Sequence, residues 1–258
     1  MINLIHPTAI IDTKANIGNN VSIGAYSVID KNVSIGDNSK IKEHVIIREN
    51  TSIGENCTIF QGAILGEIPQ DLKFENEHSI LTIGNNTTIR EYVTLNRGTK
   101  DRGETNIGDN VLLMAYVHIG HDSEIKNNVI IANSVQVGGH VTIENNAIIG
   151  GSTPIHQFCK VGTFSIIGGG LRIVQDVPPY IMAAGEPLKF IGINSVGLRR
   201  NNFSIEIRKN LKLAYKYIYN SGINTKEAVK KIKTNLSKID EVNNIVNFIN
   251  DSNRGIIS

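Results

Sequence analysis

Aliphatic residues recur along this chain at every sixth position. From Ile5, each step of six up to Leu65 lands on an aliphatic side chain. The same holds at Ile83, Ile89 and Leu95, and at every step from Ile107 to Ile173. Of the 29 such positions between 5 and 173, only Asp71, Glu77 and Asp101 break the rule, so the period is a structural instruction and not chance. Two residues before many of these steps stands a small or β-branched side chain, as at Ala9, Val21, Val45, Cys57, Ala63, Val117, Val141 and Cys159. A period of six fits neither the helical repeat nor a long alternating strand. It predicts a short strand and a corner, repeated, with one aliphatic side chain per unit pointing into a shared core. That is a hexapeptide β-solenoid.

A closed coil needs at least three sides, so one turn takes three hexads and the cross-section is a triangle. The 26 uninterrupted hexads make roughly nine coils. Stacked about 4.8 Å apart, they form a prism on the order of 40 Å long. The corners read "IGNN", "IGDN", "IGEN" and "IENN", residue types that tolerate left-handed backbone.

Two stretches leave the pattern. Residues 66–80 and 96–106 are polar and lack the apolar period, so they are expected as loops extruded from the solenoid, where function is often carried. The register nevertheless resumes unshifted after each. The repeat ends at "DVPPY" (176–180), and the chain divides into a solenoid of residues 1–186 and a helical part of residues 187–258. In the latter, Ile207, Leu211, Ala214 and Ile218 mark one helix face that Gly222 stops. Thr225 and Asp240 are expected to cap two further helices, ending near Gly255.

Composition adds less. The start lacks a basic, apolar signal peptide and the longest apolar run, "VLLMAYV", is too short to span a bilayer, so a cytoplasmic protein without a membrane span is expected. Cys57 and Cys159 both fall on inward positions and read as buried free thiols. The net charge is only +2, but between Arg199 and Lys238 there are 11 Lys and Arg against Glu206 and Glu227. Such an excess is either a solvated face or a docking surface for an acidic partner.

A solenoid has no need of histidines, yet His118, His121, His140 and His156 lie close together in sequence. Residues one coil apart stack, which places His121 under Gly139 and Asp122 under His140. All four histidines then line one groove along the prism. Two chemistries fit: a neutral imidazole acting as general base at a hydroxyl, or a three-histidine metal centre of the kind solenoid carbonic anhydrases build between subunits. Spacing does not choose between them. "GGG" (168–170) follows no strand-to-helix transition and is weak as a phosphate loop.

"LLMAYVHIGHDSEI", "GGHVTI", "IIGGSTPIHQFCKVG" and "QDVPPY" closely resemble the acyl-carrier-protein-dependent UDP-N-acetylglucosamine O-acyltransferases of lipid A synthesis. "GEIPQDLKF", "RGT" and "GLRR" extend the resemblance over essentially the whole chain. The hexad repeat is shared with many acyltransferases, whereas the combination of HIGHD, GGH, IHQF and QDLK is specific. The resemblance implies a left-handed parallel β-helix forming a homotrimer, with active sites between subunits. It implies transfer of an (R)-3-hydroxyacyl group from acyl carrier protein to the glucosamine 3-hydroxyl of UDP-N-acetylglucosamine, with no metal or other cofactor. Nucleic acid is not among the expected partners.

Carried over by motif, His121 is the general base, Asp122 its orienting partner, and the Gly139 N–H the oxyanion donor. Asp71, Lys73, His118, His140 and Gln157 hold sugar and phosphate, and His156 shapes the same groove. Asn194 and Arg200 contact the nucleotide end, and Gly169 leaves the acyl groove open for a long donor. The chain departs from the family at Val196, where an acidic residue is expected, at Asn201, where a second basic residue is common, and at Asn96, which often reads His. These departures bear on the nucleotide contacts and leave room for a modified sugar acceptor.

Three other readings fit the sequence less well. The sister N-acyltransferase carries a nucleotide-binding domain before its solenoid, and here the repeat starts at Ile5. A carbonic anhydrase would bind stoichiometric zinc. A purely structural solenoid would give the histidine stripe no purpose.

Overall fold

The computed structural model describes residues 4–236 and 239–258. Two-residue strands alternate with corners and collect into three sheets of eleven, eight and eight strands among the described residues. Each strand pairs in parallel with the one a full coil later, as Leu4 with Ser22 and Ile5 with Ile23. The first sheet contains nine such parallel strands, from Leu4–Ile5 to Ile166–Ile167, which gives the nine coils the period predicts. This is a left-handed parallel β-helix. From Ile23 onward the sixth-position aliphatics are almost wholly buried and form one continuous core with the small residues two positions before them.

The first coil differs. Ile5 is 44% exposed and Leu4 and Ile10 lie in solvent, because no coil packs beneath them. The opposite end is covered. Strand Ile181–Ala184 adds to the first sheet beside Ile166–Ile167, and Lys189–Ile193 pairs with it antiparallel. Helices α1 (Ser195–Arg200), α2 (Ile205–Tyr219), α3 (Thr225–Asn235) and α4 (Asp240–Asn250) follow. Buried Tyr215 of α2 donates its hydroxyl to the Pro179 carbonyl, and Phe190 stacks on Tyr219, which fastens the helices to the end of the prism.

Helix starts depart from the sequence expectation by about one residue, and α4 ends at Asn250, well short of the Gly255 expected to close it. Asn224, not Thr225, caps α3 by accepting from the Glu227 N–H. Asp240 opens α4 from inside its first turn, where a carboxylate favours the dipole without capping. Gly222 lies beyond the end of α2, whose C-cap is Asn220.

The corners also hold a correction. The left-handed residue is the last of each "IGxN" corner, such as Asn38, Asn56 or Asn110, and Asn128 takes the same place in "IKNN". The glycines stand in ordinary backbone and are required by stacking. A Cβ on Gly36 would lie 2.6 Å from the Gly54 carbonyl carbon of the next coil.

The two loops leave from one corner, between the second and third sheets. They lengthen their coils to offsets of 30 and 24 residues in place of 18. Each added length is a whole number of hexads, which is why the register resumes unshifted. The histidine corner follows on the same edge, so both loops and His121 stack along one line of the prism.

Gly36→Ala is therefore expected to destabilise the fold by roughly 1–3 kcal/mol through overpacking. Asn128→Gly, at an exposed left-handed corner, should stay within about 0.5 kcal/mol of the parent. Chemical or thermal unfolding of the two variants measures the contrast, and equal effects would remove stacking as the reason for glycine.

Candidate active site

The side chain of His121 emerges at the corner after strand His118–Ile119 and packs against the backbone of the next coil. A Cβ on Gly139 would come within 2.7 Å of His121 Cε1 and Nε2, so glycine is what lets the imidazole lie flat across that coil. The His140 N–H donates to the His121 carbonyl at 2.9 Å, which is the stacking that the 18-residue coil implies.

His121 Nδ1 lies 2.7 Å from Asp122 Oδ2. A carboxylate only accepts, so Nδ1 carries the proton and Nε2 keeps its lone pair. Asp122 is fully buried. Its Oδ1 accepts from the Thr99 N–H at 2.9 Å and its Oδ2 from the Thr99 hydroxyl at 2.7 Å. The Arg102 N–H reaches Oδ1 at 3.3 Å, and the Asp122 N–H donates to the Thr105 hydroxyl at 2.8 Å. Burial alone would raise the Asp122 carboxyl, but the bonds from His121 and Thr99 outweigh it and hold it below the usual range. The bond to Asp122, opposed by burial and helped by Asp71 and Asp101, raises His121 above the ordinary histidine value. His118 moves the other way, lowered first by burial and then by the neighbouring His121. Its Nδ1 is tied to the Thr94 hydroxyl at 2.8 Å.

In front of His121 lies an open cavity of about 790 Å³, lined by Asp71, Lys73, Asn96, His118, Gly139 and Gln157 among others. The extruded loop that supplies Asp71 and Lys73 is held from below. Asn96 donates to the Ile68 carbonyl, and the Arg97 guanidinium sits over the Phe74 ring.

The Gly139 N–H has no hydrogen-bond partner among the described residues. This is unlike the equivalent amides on another edge. There the N–H groups of Asn19, Glu55, Asn85, Asp109 and Asn127 are each taken by an Asp or Asn side chain from the next coil. At 139 the residue stacked above is Gln157, which lines the cavity and sends no side-chain bond to this amide. An imidazole lone pair, an unpaired amide N–H and a lysine therefore converge on one solvent-filled space. That set can remove a hydroxyl proton, receive negative charge on an acyl oxygen and hold a phosphate.

Not all the expected residues meet here. His140 stands behind His121, edge-on at 5.1 Å, with Nε2 3.6 Å from Asp122 Oδ2 and its other side stacked on Phe158. His156 is exposed and bonds the Gln157 carbonyl, so the single four-histidine groove is not formed. Among the described residues the group compact enough to ligate a metal is His121, Asp122 and His140, not three histidines. An ion there would compete with Thr99 for the carboxylate.

Asn194 is buried, accepting from the Gly197 N–H as the cap of α1 and donating to the Phe164 carbonyl. Arg200 is exposed on the last turn of α1. Gly169 sits at the corner after the first sheet, a different edge from His121, and a Cβ there would meet the Gly151 carbonyl oxygen at 3.1 Å. It is thus part of the corner packing as well. Sequence reasoning missed Thr99, Arg102 and Thr105 as partners of Asp122. The signal was the extruded loop itself, placed one coil below His121.

Comparison with known proteins finds relatives over essentially the whole chain. The family model described as Udp N-acetylglucosamine O-acyltransferase, domain 2, matches residues 176–257. The bacterial transferase hexapeptide model matches residues 14–49 and 104–139. The acyl-[acyl-carrier-protein]–UDP-N-acetylglucosamine O-acyltransferase of Aquifex aeolicus is 60% identical over 98% of this chain and 97% of its own. Its counterpart from Sulfurihydrogenibium sp. is 57% identical over 98% and 93%. The crystal structure of a UDP-N-acetylglucosamine acyltransferase from Bacteroides fragilis superposes with a TM-score of 0.97 at 48% identity, covering 99% of this chain and 100% of that one. With fold, repeat and helical end all matched at this identity, the chain belongs to the UDP-N-acetylglucosamine O-acyltransferase family.

Proposed function

We propose that this protein transfers an (R)-3-hydroxyacyl group from acyl carrier protein to the glucosamine 3-hydroxyl of UDP-N-acetylglucosamine, the first step of lipid A biosynthesis, in the cytoplasm. The observation that carries the reading is His121, with Nδ1 held by buried Asp122 and Nε2 free beside the unpaired Gly139 N–H. In this reading His121 Nε2 takes the hydroxyl proton as the sugar oxygen attacks the thioester carbon. The Gly139 N–H receives the developing oxyanion. The C–S bond then breaks and the imidazolium returns the proton to the departing thiolate of the carrier. Lys73, Asp71, His118 and Gln157 hold the sugar and its phosphates, and His140 and His156 border the site. The chemistry is complete with side chains and backbone and calls for no cofactor.

Gly169, Asn194 and Arg200 lie on other edges or faces than His121 within one chain. A homotrimer would bring one subunit's edge against its neighbour's and let them meet a common substrate. The wholly exposed Leu72 at the tip of the loop beside Lys73, with Ile68 near it, supports such a neighbour. Gly169, presented from that neighbour, would then leave room for a long hydroxyacyl chain. Mass spectrometry of the products formed from UDP-N-acetylglucosamine and a panel of hydroxyacyl carrier proteins tests the reaction and the chain length together. A 3-O-hydroxyacyl product with a long chain is expected, and no acyl transfer from any donor would overturn the reading.

His121→Ala should lower kcat by about 10²–10⁴-fold while the solenoid stays folded. The base must be neutral to act, and Asp122 raises its pKa. The acid limb of kcat/KM in the parent is therefore expected above the ordinary histidine value of 6.5, with activity lost as pH falls through it. A limb well below that value would assign the base elsewhere.

The helical end supports a docking role for the acidic carrier. Lys209, Lys212 and Lys216 rim a groove of about 610 Å³ floored by Phe190, Ile191 and Leu213. Lys238, part of the same charge excess, falls outside the described residues. Raising salt from low to moderate should weaken carrier binding far more than nucleotide-sugar binding. Reversing charges among Arg208, Lys209, Lys212 and Lys216 should do the same. Carrier affinity indifferent to both would leave the patch as a solvated surface.

A further inference from the structure

We propose that Thr99 is a positioning residue for the transfer, a clasp that turns the Asp122 carboxylate toward His121 and away from His140. The inference rests on the assignment of His121 as the base. Asp122 Oδ2 stands between two imidazoles, 2.7 Å from His121 Nδ1 and 3.6 Å from His140 Nε2. A small rotation of the carboxylate would exchange one partner for the other, and only the first arrangement fixes the proton on Nδ1 and leaves Nε2 facing the cavity.

Thr99 opposes that rotation at both oxygens. Its N–H donates to Oδ1 at 2.9 Å and its hydroxyl to Oδ2 at 2.7 Å. The hydroxyl's direction is itself set, because it accepts the Asp101 N–H at 3.3 Å and so presents its proton to Asp122. The loop holding Thr99 is closed by the Gly103 N–H on the Thr99 carbonyl at 2.6 Å and by the Arg102 guanidinium on the Asp122 carbonyl at 3.1 Å. Thr99 is itself buried and touches the base only through Asp122. The Arg102 N–H also reaches Oδ1, so both backbone donors hold that oxygen alone. The hydroxyl is the group that fixes Oδ2.

The groups that bear on His121 from every side are Asp122 and His140 on its own edge and His118 on the same coil. Asp71 and Lys73 lie on one loop, and Asp101 and Arg102 on the other, with Glu124 paired to Arg102 behind them. None of them replaces the Thr99 hydroxyl at Oδ2. Without it Oδ2 is free to swing toward His140, and His121 loses the bond that raises its pKa first.

Thr99→Val removes the hydroxyl and keeps the shape and the backbone N–H. The expected result is a fall in kcat of at least about tenfold, since misplacement by an ångström is enough for that. KM for UDP-N-acetylglucosamine should be little changed, and the acid limb of kcat/KM should move to lower pH. Thr99→Ser should retain both kcat and the limb. Thr99→Ala supplies the same readouts should the valine variant fail to accumulate, with folding checked by circular dichroism. A limb that stays in place or moves upward, or a serine variant as impaired as the valine one, would overturn the clasp. His121→Ala separates the two levels. If it is inactive while Thr99→Val behaves as the parent, only the clasp fails. If it retains activity, the base assignment fails and the clasp with it.

Discussion

Each coil of this protein must lie on the next with almost nothing between them. Parallel ladder bonds set the spacing, and at the corners the backbones come so close that a single Cβ would collide with the next coil's carbonyl carbon. Everything else inherits this constraint. It fixes the 18-residue coil, lines the aliphatic side chains into one column and dictates which residue sits above which. A side chain placed at a corner therefore has one predetermined neighbour. The protein uses that at His121, where the position above is glycine and the imidazole takes the space a side chain would fill.

The same rule explains why an unpaired backbone amide exists here at all. Along one edge, Asp and Asn side chains reach back to the N–H group of the coil below and satisfy it. Where that reach is missing, the amide of Gly139 is left facing the cavity. A buried donor without a partner is costly, so its position at the mouth of a cavity, open to solvent or substrate, matters. The two loops complete the arrangement. One brings a lysine over the cavity, and the other puts Thr99 under Asp122. Both leave from the corner that carries His121, so stacking gathers parts that lie far apart in sequence.

Most of the solenoid could be read from the period alone, because one aliphatic per hexad is a direct record of what points inward. The stacking of Gly139 on His121 and His140 on Asp122 could be read too, since coil length converts spacing into contact. Three things could not. The glycines looked like turn residues, and only the distance to the next backbone shows that they are there for clearance, while Asn38 and its kind take the left-handed turn. The four-histidine groove failed because His140 takes the left-handed place of its corner and stacks on Phe158, and His156 is exposed, whereas His118 and His121 line the cavity. The contacts of Asp122 came from an irregular loop, and no periodicity reports where a loop's threonine will point. The starts of α3 and α4 were legible to within a residue, the usual ambiguity between a cap and the first residue it caps, whereas the end of α4 at Asn250 carries no glycine to announce it.

The two ends of the prism are unlike. At one, Leu4, Ile5 and Ile10 border an open edge with solvent beneath them. At the other, an antiparallel strand and four helices close the stack. In a molecule whose coils touch only their neighbours, stability passes along a line, and unzipping then has a preferred direction. Coils at the bare end are expected to open first and most often, while the coils carrying His121, Asp122 and Gly139 lie nearer the sealed end and should exchange their amide protons later. Thermal fraying is thus concentrated away from the coils that carry His121 and Gly139. Wear at the open end can be frequent without loosening the geometry around His121 and Asp122.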